Sequence, residues 1–66
     1  MQITVNGEPK KLDRSVTIIE LLDQFGLKPK RVAVEVNEQL VRRANFGQTT
    51  LNEGDRIEIV TLVGGG

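Results

Sequence analysis

The residues best suited to chemistry in this chain are Gly64, Gly65 and Gly66, together with the α-carboxylate that follows them. Glycine lets a backbone pass where a Cβ would collide, at the cost of conformational disorder. The sequence contains neither Cys nor His, so it offers no thiol and no imidazole as nucleophile, general base or metal ligand. The Gly66 carboxylate is therefore the best candidate for a reactive group. The alternative is a frayed end or a cloning remnant, because chain termini are commonly disordered.

The glycines suit a segment that is inserted into another protein. An extended chain covers ~3.3–3.6 Å per residue, so residues 61–66 reach on the order of 20 Å. Leu62 and Val63 precede the glycines, and they either finish the last core strand or anchor a partner while the glycines enter its active site. The core is the better expectation for Leu62, whereas Val63 fits both. A phosphate-binding loop is disfavoured because a helix would have to follow the glycines.

Composition indicates one small domain without an enclosed active site. A chain of 66 residues buries only roughly 60% of the surface that it exposes on unfolding. Nine Lys and Arg balance nine Asp and Glu, which argues against nucleic-acid binding. The apolar stretches are too short for a membrane span, and the first residues lack the pattern of a signal peptide. We expect a cytoplasmic protein with no bound metal or cofactor and no membrane partner.

The N-terminal residues predict a β-hairpin. Apolar residues alternate with polar ones over the first five positions, as in a half-buried strand. Asn6-Gly7 follows, the strongest short hairpin signal, because a type I′ turn needs positive φ at both central residues. Residues 8–12 form the returning strand. Pro9 cannot donate to a ladder, so this strand belongs at a sheet edge.

A short helix is predicted next. Thr17 and Glu20 have the spacing of a capping box, in which each side chain bonds the other residue's backbone N–H. An apolar stripe at helical spacing follows. The stripe consists of Ile18, Leu21, Leu22 and Phe25. Gly26 supplies a left-handed residue after the helix, and Leu27 can pack back as at a Schellman end. The helix therefore covers residue 18 to about residue 25.

Three more strands complete the pattern. Alternating valines predict a strand over residues 32–36, residues 40–41 form a short one, and residues 56–62 form the last. Phe46 is expected in the core, and residues 52–55 have the composition of a turn. The α+β order ββαββ predicts one helix packed across a mixed sheet. This order is typical of the β-grasp fold, whose first and last strands lie parallel at the centre.

The predicted domain covers residues 1–62, and a flexible glycine tail covers residues 63–66. Charged residues elsewhere are interpreted as solvated surface. A basic cluster surrounds Pro29, and Arg42-Arg43 forms another. The alternative for these cations is docking onto an acidic patch of a partner. Glu53, Asp55 and Glu58 flank the last strand and form a weak candidate for paired catalytic carboxylates, since nothing predicts their burial.

Several segments together resemble a known family. They are the Asn6-Gly7 hairpin, the helix start at residues 17–22, residues 33–37, residues 54–60 and the terminal glycines. They look like the ThiS family, the ubiquitin-like sulfur carriers of bacterial thiazole (thiamin) biosynthesis. The resemblance covers essentially the whole chain and implies a β-grasp fold.

The resemblance also implies a mechanism in which the chain is a co-substrate and not an enzyme. A ubiquitin-activating-type (ThiF-like) adenylyltransferase would use ATP to convert the Gly66 carboxylate to an acyl-adenylate. A sulfide or persulfide donor would displace the adenylate and leave a thiocarboxylate. A ThiG-like thiazole synthase would accept the tail and take the sulfur. The functional glycine pair of the family corresponds to Gly65 and Gly66, with Gly64 an additional small residue.

Three alternatives remain open at this point. The chain could be the small sulfur-carrying subunit of molybdopterin synthase, which also ends in two glycines but is usually longer. It could be a protein modifier, in which Gly66 would form an amide with a lysine. It could be a structural β-grasp module whose glycines are incidental. The sulfur donor, the affinities for partners and the source organism do not follow from the sequence.

Overall fold

In the computed structural model, which describes residues 1–63, five strands form one sheet with a helix on one face. The elements are β1 (Gln2–Val5), β2 (Glu8–Lys11), α1 (Ile18–Gln24), β3 (Val32–Val36), β4 (Gln39–Val41) and β5 (Arg56–Thr61). Short 3-10 turns cover Pro29–Arg31 and Arg43–Asn45. The strand order is β2-β1-β5-β3-β4. β5 runs parallel to β1 and antiparallel to β3, so the arrangement is a β-grasp fold, as predicted.

The first hairpin follows its local sequence. Asn6 and Gly7 have φ of 50° and 83°, the positive values that a type I′ turn requires. β1 and β2 pair antiparallel with Val5 opposite Glu8. β2 lies at the edge of the sheet, where Pro9 needs no ladder partner, and this confirms the prediction. The strand ends at Lys11, one residue before its predicted end.

The helix is capped at both ends as its sequence predicts. The Thr17 hydroxyl accepts from the Glu20 N–H at 3.2 Å, and the Glu20 carboxylate accepts from the Thr17 N–H at 2.9 Å. At the other end the Gly26 N–H donates to the Asp23 carbonyl at 3.0 Å, and the Leu27 N–H donates to the Leu22 carbonyl at 2.9 Å. These two bonds define a Schellman end. The caps set the orientation of a helix too short to be stable alone.

The expectation that Phe25 belongs to the buried stripe is wrong. Ile18, Leu21 and Leu22 are fully buried, whereas Phe25 is 43% exposed. Phe25 is the C-cap residue and lies one position past the last residue of α1. Its ring lies 5.0 Å from Nζ of Lys10 on the edge strand β2, which gives the exposed ring a cation–π partner.

The core lies between α1 and the sheet and is closed by the irregular segment after β4. Phe46 is 1% exposed, as predicted, and Leu51 is fully buried. The core residues are Ile3, Leu12, Val16, Ile18, Leu21, Leu22, Val32, Val34, Phe46, Leu51 and Ile57. All are apolar, and no buried polar or charged residue was found among the described residues. Catalytic groups with strongly perturbed pKa values need buried surroundings, so this interior holds no candidate for one.

Candidate functional site at the end of β5

The predicted site begins where β5 ends. β5 stops at Thr61, so the predicted last strand of residues 56–62 is one residue too long. The Leu62 N–H donates to the Arg31 carbonyl at 2.7 Å, and Leu62 is 39% exposed. The expectation of a core position for Leu62 is therefore wrong, and Leu62 lies one residue past the end of β5. Val63 is 97% exposed, which excludes a core position for it as well.

Gly64, Gly65 and Gly66 lie outside the described residues. The predicted division into a domain of residues 1–62 and a tail of residues 63–66 therefore stays a prediction. So do the roles of Leu62 and Val63 in partner binding and of the three glycines as the reactive end. The structure describes the root from which these glycines continue, and that root is Leu62 and Val63.

The Asn6 side chain is hydrogen-bonded to β5, the strand that leads to this root. Its side-chain Oδ1 accepts from the Ile59 N–H at 2.8 Å, and its Nδ2 donates to the Ile59 carbonyl at 3.2 Å. Its own N–H donates to the Ile57 carbonyl at 2.8 Å. The Asn6 amide thus replaces a strand residue beyond the end of β1 and continues the ladder along β5. In this way the N–H and carbonyl of Ile59, which β1 is too short to reach, gain hydrogen-bond partners.

Asn37 has the corresponding role at the start of β5. Its N–H donates to the Arg56 carbonyl at 2.7 Å, and its Oδ1 accepts from the Arg56 N–H at 3.0 Å. Its Nδ2 donates to Oδ1 of Asp55 at 3.0 Å. Asn37 has φ of 53° and Glu38 has φ of 70°, so this turn too uses positive φ at two successive residues. Two asparagines in two hairpin turns therefore hold β5 at its first residue, Arg56, and at Ile59 within the strand.

The sheet face opposite α1, called here the open face, carries two exposed apolar residues, Val60 near the root and Leu40 two strands away from β5. Val60 is 59% exposed and stands opposite Ala33 of β3. Leu40 of β4 is 67% exposed and stands opposite Glu35 of β3. Leu40 and Val60 were not among the predicted site residues. Strand alternation could have found Val60, because Ile57 and Ile59 face the helix and Val60 must then face away.

The open face also holds two like charges side by side. Glu35 and Glu58 are direct cross-strand partners of β3 and β5, and both are exposed. Like charges directly opposite each other destabilise a sheet pair. The pair lies two positions along the ladder from Ala33 and Val60, on the same face, so the exposed apolar surface has an acidic border.

The structure brings the two predicted basic clusters together. Nε of Arg43 donates to the Pro29 carbonyl at 3.1 Å, and its Nη2 donates to the Lys30 carbonyl at 3.4 Å. The cations of both segments therefore share one corner, beside the Arg31 carbonyl that binds Leu62. The clusters are separated in sequence, so their contact could not be read from spacing alone.

The described residues offer no second reactive centre. Within residues 1–63, no group of three or more His, Cys, Asp or Glu side chains is placed to hold a metal ion. No helix in that part of the chain is long and apolar enough to span a bilayer. Glu53 and Asp55, considered as catalytic carboxylates, accept backbone hydrogen bonds from Gln2 and Asn52 and so shape turns.

Comparison with known proteins decides the family. The model of the ThiS family matches residues 3–66, which includes the root and all three glycines. The chain belongs to the ThiS family. Sulfur carrier protein ThiS of Thermus thermophilus is 36% identical over 64 residues, which is 97% of this chain and 98% of the relative. A crystal structure of ThiS from Geobacter metallireducens superposes with a TM-score of 0.86 at 36% identity and covers 100% of both chains.

A third similarity extends beyond the carriers. A thiazole synthase from Paramagnetospirillum magneticum is 38% identical over 66 residues. The alignment takes in 100% of this chain but only 20% of that protein. A ThiS-like segment thus occurs within a much longer polypeptide that is named a thiazole synthase.

Proposed function

We propose that this chain is a sulfur carrier of thiamin biosynthesis and that the Gly66 carboxylate carries the sulfur. The observation behind the proposal is the match of the ThiS family model to residues 3–66 in a chain that has neither Cys nor His. Sulfur bound through a side-chain thiol is impossible here. The α-carboxylate that follows Gly66 is the group that we propose is activated and exchanged for a thiocarboxylate.

Activation begins with the carboxylate as nucleophile. One oxygen of the Gly66 carboxylate attacks the α-phosphorus of ATP in a ThiF-like adenylyltransferase, which releases pyrophosphate and forms the acyl-adenylate. Hydrosulfide attack on the acyl carbon then expels AMP and leaves the thiocarboxylate. A persulfide-carrying donor first forms an acyl disulfide, and a second thiol cleaves it to release the thiocarboxylate. The chain itself is a co-substrate in every step and not an enzyme, and ATP belongs to the partner.

The geometry of the root supports this role. The asparagine side chains hold β5 at Ile59 and Arg56, so the strand that leads to the glycines is fixed against the body of the protein. Leu62 and Val63 are exposed directly before the glycines. We propose that these two residues, with the open face beside them, bind the partner while Gly64 and Gly65 pass into its active site. Side chains at these two positions would widen the segment, which is the reason for glycine there.

Thiazole synthase is the proposed recipient of the sulfur. The similarity to one segment of a thiazole synthase supports this, since that protein joins a ThiS-like segment to the synthase in one polypeptide. Because the proposed activation consumes ATP, we place the carrier in the cytoplasm. A nucleic acid and a membrane have no part in the proposed reaction.

Intact-mass analysis tests the proposal. The chain is incubated with ATP, the ThiF-like adenylyltransferase encoded by the same genome and a sulfide source. We expect one oxygen of the C-terminal residue to be exchanged for sulfur, and we expect deletion of Gly66 to abolish the exchange while the circular dichroism spectrum stays unchanged. An unchanged mass for the intact chain, or sulfur transfer to the truncated chain, would show that the carboxylate is not the carrier group.

Genetic complementation separates this pathway from the related one. Loss of the gene is expected to create a requirement for thiamin, which the intact gene but not the Gly66 deletion relieves. A defect in molybdenum cofactor with normal growth without thiamin would assign the chain to molybdopterin synthase.

A further inference from the structure

The cations that meet near the root form a defined surface, called here the basic corner. Its members are Lys28, Lys30, Arg31, Arg42 and Arg43. All five are exposed, and they make up five of the nine Lys and Arg residues of the chain. The Arg43 guanidinium bonds the carbonyls of Pro29 and Lys30 and thereby holds the two contributing segments together.

The basic corner lies directly beside the root. Val32, the first residue of β3, stands opposite Thr61, the last residue of β5. One step further the Leu62 N–H bonds the Arg31 carbonyl at 2.7 Å. The positive charges therefore surround the place from which residues 64–66 continue, on the side of β3 and β4.

The two segments that form this corner carry no acidic residue of their own. The segments of residues 24–34 and 39–52, which contain all five cations, contain no Asp or Glu. Three acidic residues lie at the opposite end of β5. Asp55 directly precedes the strand, and Glu38 follows Asn37, whose backbone and side chain bond Arg56 and Asp55. The third is Glu53, in the same turn as Asp55. At ~3.3 Å per residue, the six residues of β5 separate the two ends by about 20 Å. The chain has zero net charge, but five of its nine cations lie at the root and three of its nine acidic residues lie at the opposite end of β5.

We propose that the basic corner docks against an acidic rim around the opening through which the adenylyltransferase receives the glycines. This inference rests on the proposed function. Residues 63–66 span at most about 14 Å when extended, so the corner must come close to that opening whenever Gly66 reacts. Clustered like charges repel one another, and an acidic partner surface offsets that repulsion in the complex. Positive charge concentrated at the root attracts that end of the protein towards such a surface before contact, which raises the association rate.

An acidic protein surface fits this corner better than nucleic acid does. A nucleic-acid binder usually carries a large net positive charge, whereas this chain is neutral. Glu35 and Glu58 on the adjoining open face would also be turned towards the phosphates of a ligand that extended past the corner. An acidic protein rim does not require a net positive charge on this chain, and a narrow rim would not extend as far as Glu35 and Glu58.

Charge reversal at the corner tests the inference. The variant combines Lys30→Glu, Arg31→Glu and Arg42→Glu and leaves Arg43 in place because it holds the turn. A matched control combines Lys11→Glu, Arg14→Glu and Arg56→Glu, which are exposed residues away from the corner. The measurement is kcat/KM for adenylation by the adenylyltransferase, with the chain as the varied substrate. Salt is raised from about 0.01 M to about 0.15 M, which shortens the Debye length from about 30 Å to about 8 Å.

We expect the corner variant to lose at least about tenfold in kcat/KM at low salt with little change in kcat, and we expect this loss to shrink as salt rises. The control should change kcat/KM by less than about threefold. Both variants alter the total charge equally, so a larger loss in the corner variant reflects the position of the charges. Equal losses in both variants, or activity of the unmodified chain that increases with salt, would overturn the inference. Failure of the unmodified chain to be adenylated would instead remove the proposed function, and the inference with it. Corner-dependent binding of a single-stranded oligonucleotide, with adenylation unaffected, would assign the corner to nucleic acid and likewise overturn it.

Discussion

Replacement of Asn6 tests how firmly the carrier strand is attached to the body of the protein. The Asn6 side chain makes two hydrogen bonds to the backbone of Ile59, and the residue sits at φ of 50°. Asn6→Gly removes both bonds but accepts the backbone conformation. Asn6→Ala removes the same bonds but keeps a Cβ in the left-handed conformation, which alanine tolerates less well than asparagine does. The difference between the two variants therefore isolates the backbone contribution.

The expected losses follow from these contacts. Each bond is solvent-exposed, so the pair contributes about 1–2 kcal/mol to the free energy of unfolding, which is the expected loss in Asn6→Gly. Asn6→Ala should lose a further 1–2 kcal/mol or so for the left-handed conformation, which gives a total of about 2–4 kcal/mol. A domain of this size has a total stability of roughly 3–10 kcal/mol. The expected loss in the alanine variant is therefore a large fraction of the total stability, and the glycine variant should retain more of it.

Urea denaturation followed by circular dichroism measures both losses. The midpoint should shift while the slope m stays constant, because the folded and unfolded surfaces are the same. Asn45→Ala is the matched control, since Asn45 is exposed and ends a 3-10 turn without a positive φ, and it should change stability by less than about 0.5 kcal/mol. A glycine variant as stable as the unmodified chain would refute the role of the two bonds. Equal stability of the alanine and glycine variants would refute the backbone argument.

Two further predictions concern the helix cap and the paired glutamates. Thr17→Ala should lower the free energy of unfolding by about 1 kcal/mol because the Glu20 N–H loses its acceptor, whereas Thr17→Ser should retain most of it; equal urea midpoints for the two would contradict the capping role. Glu58→Gln should raise the free energy of unfolding by about 0.2–1 kcal/mol at low salt by removing the repulsion from Glu35, and the gain should diminish in high salt. Glu8→Gln, on the edge strand opposite Val5, serves as its control and should show no such salt-dependent gain.

The parts of the fold that the sequence predicts are encoded within a few neighbouring residues. Asn6-Gly7 specifies a turn by the φ values that those two residues tolerate, and Thr17 and Glu20 are three positions apart. Gly26 ends the helix through bonds that reach back only one turn. Each signal is complete within one segment, so it does not depend on how the segments pack.

What the sequence did not predict depends on contacts between distant segments. Phe25 lies one residue past the end of the short helix and Leu62 lies one residue past the end of β5, and the exposure of each depends on where its element ends. The bond from Asn6 to Ile59 joins residues 53 positions apart. Arg43 reaches Pro29 across 14 positions. The reactive end was predicted from composition and family resemblance, whereas the surface beside it required the three-dimensional arrangement.

The central position of β5 has a consequence for the synthesis of the protein. The strand order places β5 between the hairpin of β1 and β2 and the hairpin of β3 and β4, which share no ladder with each other. A nascent chain that has reached only residue 55 therefore holds two separate hairpins, and isolated hairpins are marginally stable at best. The sheet can close only when the strand adjoining the glycines has left the ribosome. Incomplete translation products would remain unfolded and accessible to proteases, so a body that folds without its carrier strand should not accumulate in the cell.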